Sequence, residues 1–284
     1  MNFKRIALAM LGCLLMTGLP GMAGRAQAAD FAAGIMTYYA FWEPGFRSQY
    51  SDFIIDPLFL YGPMLQVTFL DRWSLSGLLL TNDPPGTNIQ YTLRDTGSAG
   101  PYAVKTKTKV SRTDMDLALT YAAHPRLKLF AGMKHFTFDI RGSGSDISIT
   151  EGNYTFFNNS KTQDSGGDMK NQSTGGAAGL GYNYPLSVNI NLAVNASFLY
   201  TTTNILYFRY TDAGGILNSS TRDYNYRGTG CNTTAQISYY LSGFSTSVSL
   251  GGRFQVTTYK PVGDAPSLAT DYFYGVTLSA LYLF

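Results

Sequence analysis

The chain holds 284 residues, 45% hydrophobic, 14% aromatic and only 14% charged, with 21 Lys and Arg against 18 Asp and Glu. So many aromatics and so few charges exclude a disordered chain, and a coiled coil would need Ala, Glu, Lys and Leu to dominate. No stretch reaches the ~18 consecutive apolar residues of a membrane-spanning helix, while 21 Tyr, 18 Phe and 30 Gly stand out.

The first segment reads as a leader. Lys4 and Arg5 precede an apolar run over 6–16, and Ala26-Gln27-Ala28 offers the small residues a signal peptidase needs. The pattern predicts a cleaved secretory signal peptide over 1–28, ahead of one domain over 29–284. Cys13 lies inside the apolar run in a poor lipobox context, so a lipid-anchored cysteine is not expected. Cleavage removes Lys4, Arg5 and Arg25, which leaves 18 basic against 18 acidic residues. A basic surface for nucleic acid therefore has no support. Cys231 remains as a single cysteine, so no intrachain disulfide is expected, and with two His the chain lacks a zinc-type ligand set. No nucleotide loop, metal cluster or cofactor motif is present.

Beyond the leader the chain alternates with period 2. Strands are predicted near 33–42, 57–70, 73–82, 110–121, 126–140, 174–184, 188–200, 229–241, 244–257 and 272–284. Tight turns join pairs of them at Asp71-Arg72, Ala123-His124-Pro125, 184–187 and 241–243. Long polar connections, rich in Ser, Thr, Asn, Gly and Asp, cover roughly 43–56, 83–109, 142–173, 203–226 and 259–271. Strands that run up and down through a slab place all short turns on one side and all long connections on the other. About ten strands, with eight or twelve as the neighbouring even counts, predict an all-β, closed, antiparallel up-and-down barrel. Closure satisfies every backbone N–H and C=O without water, as a bilayer core demands.

The last strand carries a resemblance. Tyr274, Val276, Leu278, Ala280, Tyr282 and Phe284 alternate to the end of the sequence. This resembles the C-terminal strand of bacterial outer-membrane β-barrel proteins. The resemblance implies a place in the cell outer membrane, lipid as surroundings, and barrel-assembly machinery that reads Tyr282 and Phe284 as an assembly signal. Short periplasmic turns and longer extracellular connections fit the same class.

Taking that aromatic set as lipid-facing fixes the phase of the other strands. Phe59, Leu65, Trp73, Leu119, Met133, Val194, Phe198, Ile237 and Leu250 then face lipid. The opposite phase collects Arg112, Asp114, Asp116, Lys134, Asn191, Asn195, Gln236 and Arg253, which are predicted to line the lumen. Charge at the bilayer midplane costs ~2–4 kcal/mol for Arg or Lys, so this face must turn inward. With Ala123-His124-Pro125 as the turn, register sets Asp114 opposite Lys134 and Asp116 opposite Gly132. Such a set either braces the wall by ion pairs or polarises a narrow pore.

Catalysis finds little support. Asp114 and Asp116 answer Lys134 and Arg112 more readily than each other. His135 falls on the lipid-facing phase, and Asp139, four residues on, is ~13 Å away along a strand. The chain resembles the ten-stranded omptin proteases in size, but it lacks the Asp–x–His arrangement at the outer rim. A rim His with a Ser partner, which a barrel deacylase would need, is not marked either. Cys231 reads as a small apolar residue near the outer end of its strand. The expected function is a narrow porin-like channel for small polar solutes, not an enzyme. The alternatives are a non-conducting structural or surface-interaction barrel whose long connections bind a partner and, less favoured, an outer-membrane hydrolase.

Overall fold

The computed structural model describes residues 30–45, 57–82, 86–95, 101–148, 165–213 and 216–284. The leader read over 1–28 lies outside the described residues. The strands are β1 (Asp30–Glu43), β2 (Leu58–Phe69), β3 (Trp73–Thr81), β4 (Gly86–Asp95), β5 (Pro101–His124) and β6 (Leu127–Ser148). There follow β7 (Ser165–Pro185), β8 (Ile190–Ala213), β9 (Ile216–Leu241), β10 (Thr246–Val262) and β11 (Asp271–Leu283). Consecutive staves pair antiparallel, and β1 pairs with β11 to close the ring.

β3 and β4 form one interrupted stave, because both pair with β5, one along its lower half and one along its upper half. Ten staves result. At the interruption the buried Asn82 stands in for ladder bonds. Its Nδ2 donates to the Val110 carbonyl at 2.9 Å, and its Oδ1 accepts from the Arg112 N–H at 2.6 Å. A side-chain amide has the same donor and acceptor as a peptide, so the neighbouring stave stays satisfied across the gap.

Alternation places the apolar set outside. Met133, Phe198, Leu250, Val276 and Ile35 are exposed on the outer face, and Tyr and Phe rings gather at its two margins. Trp73 and Tyr121 pack together near the short turns, Phe41 and Tyr274 near the opposite margin. Such a band between aromatic girdles is what hydrocarbon between two interfaces selects. The molecule is therefore a closed β-barrel of the cell outer membrane. Cys231 is exposed on this outer face, level with Phe198 and Val256.

Two sequence expectations need correction. The long connections are mostly strand: β4 and β5 continue through 86–95 and 101–109, β6 and β7 fill 142–148 and 165–173, and β8 and β9 run through 203–213 and 216–226. β10 likewise reaches Val262, which leaves 263–270 to join it to β11. Polar composition there does not mark the lack of a ladder, since Thr and Tyr suit strands as well as Val and Ile do. β5 to β9 thus hold 24, 22, 21, 24 and 26 residues, against 14 in β1 and 13 in β11. Spanning takes ~9–11 residues, so this side of the barrel rises roughly 30 Å above the band as a wall.

The second correction concerns register. Pro125 and Arg126 form the turn, and a bulge between Ala122 and His124 shifts the ladder. Asp116 therefore faces Lys134 and Asp114 faces Phe136, two residues from the expected alignment. A two-residue slip keeps every side chain on its face, so the inward set is unchanged. The inner face is also crowded enough to need glycine. A Cβ on Gly275 would sit 2.0 Å from the Tyr39 carbonyl oxygen, and one on Gly132 2.1 Å from that of Leu117.

The topology predicts an accessibility pattern. Protease added to intact cells should cut between 142 and 173 and spare the turn at 124–126. Cleavage at 124–126 in intact cells would reverse the orientation.

Candidate functional site

Residues turned inward from β5, β6 and β10 meet at mid-barrel. The Arg112 Nε donates to Asp114 Oδ1 at 2.8 Å and its Nη2 to Oδ2 at 3.4 Å. Lys134 Nζ donates to Asp116 Oδ1 at 2.8 Å and lies 3.7 Å from Asp114 Oδ2. Arg253 Nη2 completes the chain, donating to Asp116 Oδ2 at 3.0 Å, while its Nε donates to Asn232 Oδ1 at 3.1 Å. Three cations and two carboxylates thus alternate as Arg112, Asp114, Lys134, Asp116 and Arg253. Four of the five are buried; Asp116, at 29% exposed, opens toward the short-turn side.

The link from Asp116 to Arg253 joins β5 to β10, five staves apart whichever way the ring is followed. It runs across the full diameter. Further contacts span the lumen just above it. The Arg112 guanidinium lies 3.7 Å from the ring centroid of Phe273 on β11 and 5.1 Å from that of Trp42 on β1. Trp42 meets Phe138 of β6 edge-on at 4.6 Å. A guanidinium between aromatic faces is held by its charge against their quadrupoles as well as by packing.

Above the charges an apolar cluster lies beside buried polar side chains, Asn171, Ser173 and Thr203, which bond to one another. Tyr38, Trp42, Leu60, Leu80, Phe138, Ile205, Tyr226 and Phe273 form one buried cluster, with Ala265 and Leu268 of the 263–270 segment packed against it. Asp271 anchors its rim, accepting from Trp42 Nε1 at 3.0 Å and from the Gly45 N–H at 3.4 Å. Below the charges the interior is polar and partly open. Asn195 Nδ2 donates to Thr234 Oγ1 at 3.0 Å, and the Ser238 and Ser249 hydroxyls lie 2.8 Å apart.

The residues singled out from the sequence fall as follows. Arg112, Asp114, Asp116, Lys134 and Arg253 belong to the central network, and Asn191, Asn195 and Gln236 lie on the inner face below it. Tyr282 and Phe284 sit at the seam, where the Phe284 N–H donates to the Phe31 carbonyl at 2.9 Å. Sequence reasoning missed Trp42, Phe273, Asn82 and Asp271. The first two share the inward phase, but an aromatic residue carries no mark telling lumen from lipid. Asn82 and Asp271 stood at the edges of supposed loops. His135 is on the outer face, with its Nδ1 2.7 Å from the Thr174 hydroxyl, and Asp139 pairs instead with Arg141 at 3.0 Å. Among the described residues no group of three His, Cys, Asp or Glu side chains converges as a metal site would require.

No family model and no curated protein matches the chain. Among solved structures it is similar to the outer membrane protease OmpT from Escherichia coli, at 13% identity and a TM-score of 0.48, covering 94% of this chain and 100% of that one. It is similar also to the translocator domain of autotransporter NalP from Neisseria meningitidis, at 11% identity and 0.39, covering 98% and 96%. The toluene transporter TodX from P. putida follows at 10% and 0.34, covering 92% and 90%. Likeness at this level carries no activity across; the fold stands on strand order and register.

Proposed function

We propose that the barrel is a closed, non-conducting anchor and that its function resides in the wall raised by β4 to β9, as a surface-interaction protein rather than an enzyme. The carrying observation is the diametric Asp116–Arg253 hydrogen bond, capped by the buried cluster of Trp42, Phe138 and Phe273. A pore for hydrated solutes would leave its charged lining in contact with water. Here Arg112, Asp114 and Lys134 are 1–3% exposed, and Tyr38, Leu60 and Phe273 are at 0%. Small barrels fill with side chains in this way. The porin-like reading, with small polar solutes crossing the lumen, finds its support in the polar lower half and in the inward Asn171, Ser173 and Thr203.

Wall and plug also suit each other mechanically. A sheet rising from one side of a barrel needs a stiff base, and cross-lumen contacts stop the ring from flattening. The test is electrical. The refolded protein in a planar bilayer should show no unitary current, whereas steady, ion-selective current from the wild type would return the channel reading to first place.

A further inference from the structure

The wall of β4 to β9 is an open sheet. Lower down the ring closes, but β10 leaves β9 at Val262, whose register partner is Asn225. Gly263 takes a φ of +65°, and the chain turns over the apolar cluster. Ala265 and Leu268 pack on that cluster, and the Ala269 N–H reaches the Gly45 carbonyl at 2.7 Å. β9 extends beyond this departure, from Tyr224 up to Ile216, and there it pairs with β8 alone among the described strands.

Hydrogen-bond phase decides which backbone groups that edge presents. The Tyr240 N–H donates to the Asn189 carbonyl, just ahead of β8, at 2.8 Å. Even-numbered residues of β9 therefore turn both backbone groups toward β8, because a residue of an antiparallel strand directs its N–H and C=O to one side. Odd-numbered residues turn theirs toward β10 as far as Asn225, and toward the open edge at Leu217, Ser219, Thr221 and Asp223. Pro261 agrees with this phase, since it faces even-numbered Tyr226 and needs no N–H there. Proteins blunt such an edge with Pro, Lys or a bulge. The run from Ile216 to Tyr224 has neither Pro nor Lys, and its register with β8 is unbroken.

We propose that this edge takes up an extended segment of another polypeptide as a further strand of the wall, antiparallel to β9, with an apolar residue two positions ahead of an acidic one. The inference rests on the wall being the interacting part of the molecule. Backbone bonds from Leu217, Ser219, Thr221 and Asp223 hold the added strand, and side chains beside it set its sequence. On the concave face Tyr224 lies against Tyr207, ring centroids 5.7 Å apart. Arg222, exposed one step higher on that face, donates from Nη1 to the Tyr224 hydroxyl at 3.3 Å. A strand rising beside β9 meets Tyr224 first and Arg222 two residues later, which calls for an apolar and then an acidic side chain. Asp223 points to the other face, where it accepts from the Asn204 amide. Arg227 and Lys260, exposed register partners at the foot of the edge, add positive charge.

The experiment uses the refolded full barrel in detergent micelles and a fluorescein-labelled peptide, Val-Thr-Glu-Thr-Val-Thr-Thr, followed by anisotropy. Two further peptides are compared. One carries Lys in place of Glu, and the other is N-methylated at its second, fourth and sixth residues, whose N–H groups would face β9. Saturable binding of the first peptide is expected, with amide exchange across 216–224 slowed in the complex. N-methylation should abolish binding, and the Lys peptide should bind about threefold more weakly, as loss of an exposed ion pair implies. Ser219→Pro with Thr221→Pro removes two donors on the open side and spares the ladder to β8, so binding should weaken roughly tenfold or more. Ser219→Ala with Thr221→Ala should bind as the wild type does. No saturable binding up to about 1 mM, equal binding of the N-methylated or the Lys peptide, or a loss in the Ala pair matching that in the Pro pair would overturn the proposal. Should the Pro pair fail to fold, the comparison of peptides on the wild type decides alone. Conductance is a separate readout: a conducting barrel that takes up the strand removes the non-conducting reading and keeps the edge, whereas a silent barrel that takes up nothing removes the edge alone.

Discussion

Asp114→Leu alone should be among the most damaging single changes in this barrel, while the pair Arg112→Met with Asp114→Leu should be nearly harmless. The Arg112 guanidinium is 1% exposed and donates both of its side-chain hydrogen bonds to Asp114. Removing the carboxylate leaves that charge enclosed by Phe273, Trp42 and Phe136, whose faces attract a cation but accept no strong hydrogen bond. Breaking a buried pair from one side costs ~3–5 kcal/mol, whereas replacing both partners by apolar residues of similar volume is often neutral or stabilising by ~1–4 kcal/mol.

The rest of the network should tolerate the double change. Lys134 keeps Asp116 at 2.8 Å, and Asp116 keeps Arg253 at 3.0 Å. The pair removes one charge of each sign, so the net charge of the cluster stays the same. Urea titration of the refolded protein, read by heat-modifiable mobility, measures the outcome. A large midpoint loss in the single variant and recovery in the double are expected. Equal losses in both would mean that the network contributes something beyond charge compensation, such as a required hydration path.

The same network shows what the sequence could and could not convey. Period-2 alternation is local, so Arg112, Asp114, Asp116, Lys134 and Arg253 were legible as one inward phase. Their pairing depends on register, and register turned on a bulge between Ala122 and His124. Nothing in Tyr121-Ala122-Ala123-His124-Pro125 distinguishes a three-residue turn from a bulged ladder ending in a two-residue one. The link to Arg253 depends on closure, which brings β5 opposite β10 although 137 positions separate Asp116 from Arg253.

The upper half of the lumen was illegible for another reason. Trp42, Phe138 and Phe273 obey the inward phase, yet apolar residues on both faces erase the contrast that alternation relies on. The wall was hidden by the opposite effect. Along 203–213 and 216–226 the sequence carries polar residues in both phases, so alternation fades and a strand reads as a loop.

Deletion of Phe284 should prevent the barrel from reaching its folded membrane form, with a larger effect than any inner-face substitution outside the charged network. The seam between β1 and β11 joins the two ends of the described domain, so it is the last pairing that closure can make. Twelve register pairs hold it, from Ala32 with Leu283 to Glu43 with Tyr272. Phe284 extends it by one further bond, its N–H donating to the Phe31 carbonyl at 2.9 Å. Its ring lies 5.2 Å from that of Phe31 and 4.8 Å from that of Tyr282. In the finished barrel this ring is 72% exposed, so its burial adds little to stability. A strong requirement for it would therefore act during insertion, when the strand is still unpaired and its outward aromatics Tyr274, Tyr282 and Phe284 are free to be recognised. Two measurements separate the alternatives. In cells the deletion should deplete heat-modifiable barrel and leave unfolded protein in the periplasm; in detergent the same variant should refold with a urea midpoint close to the wild type. A loss in detergent equal to that in cells would make Phe284 a structural clasp of the seam, and normal levels in cells would remove the residue from assembly altogether.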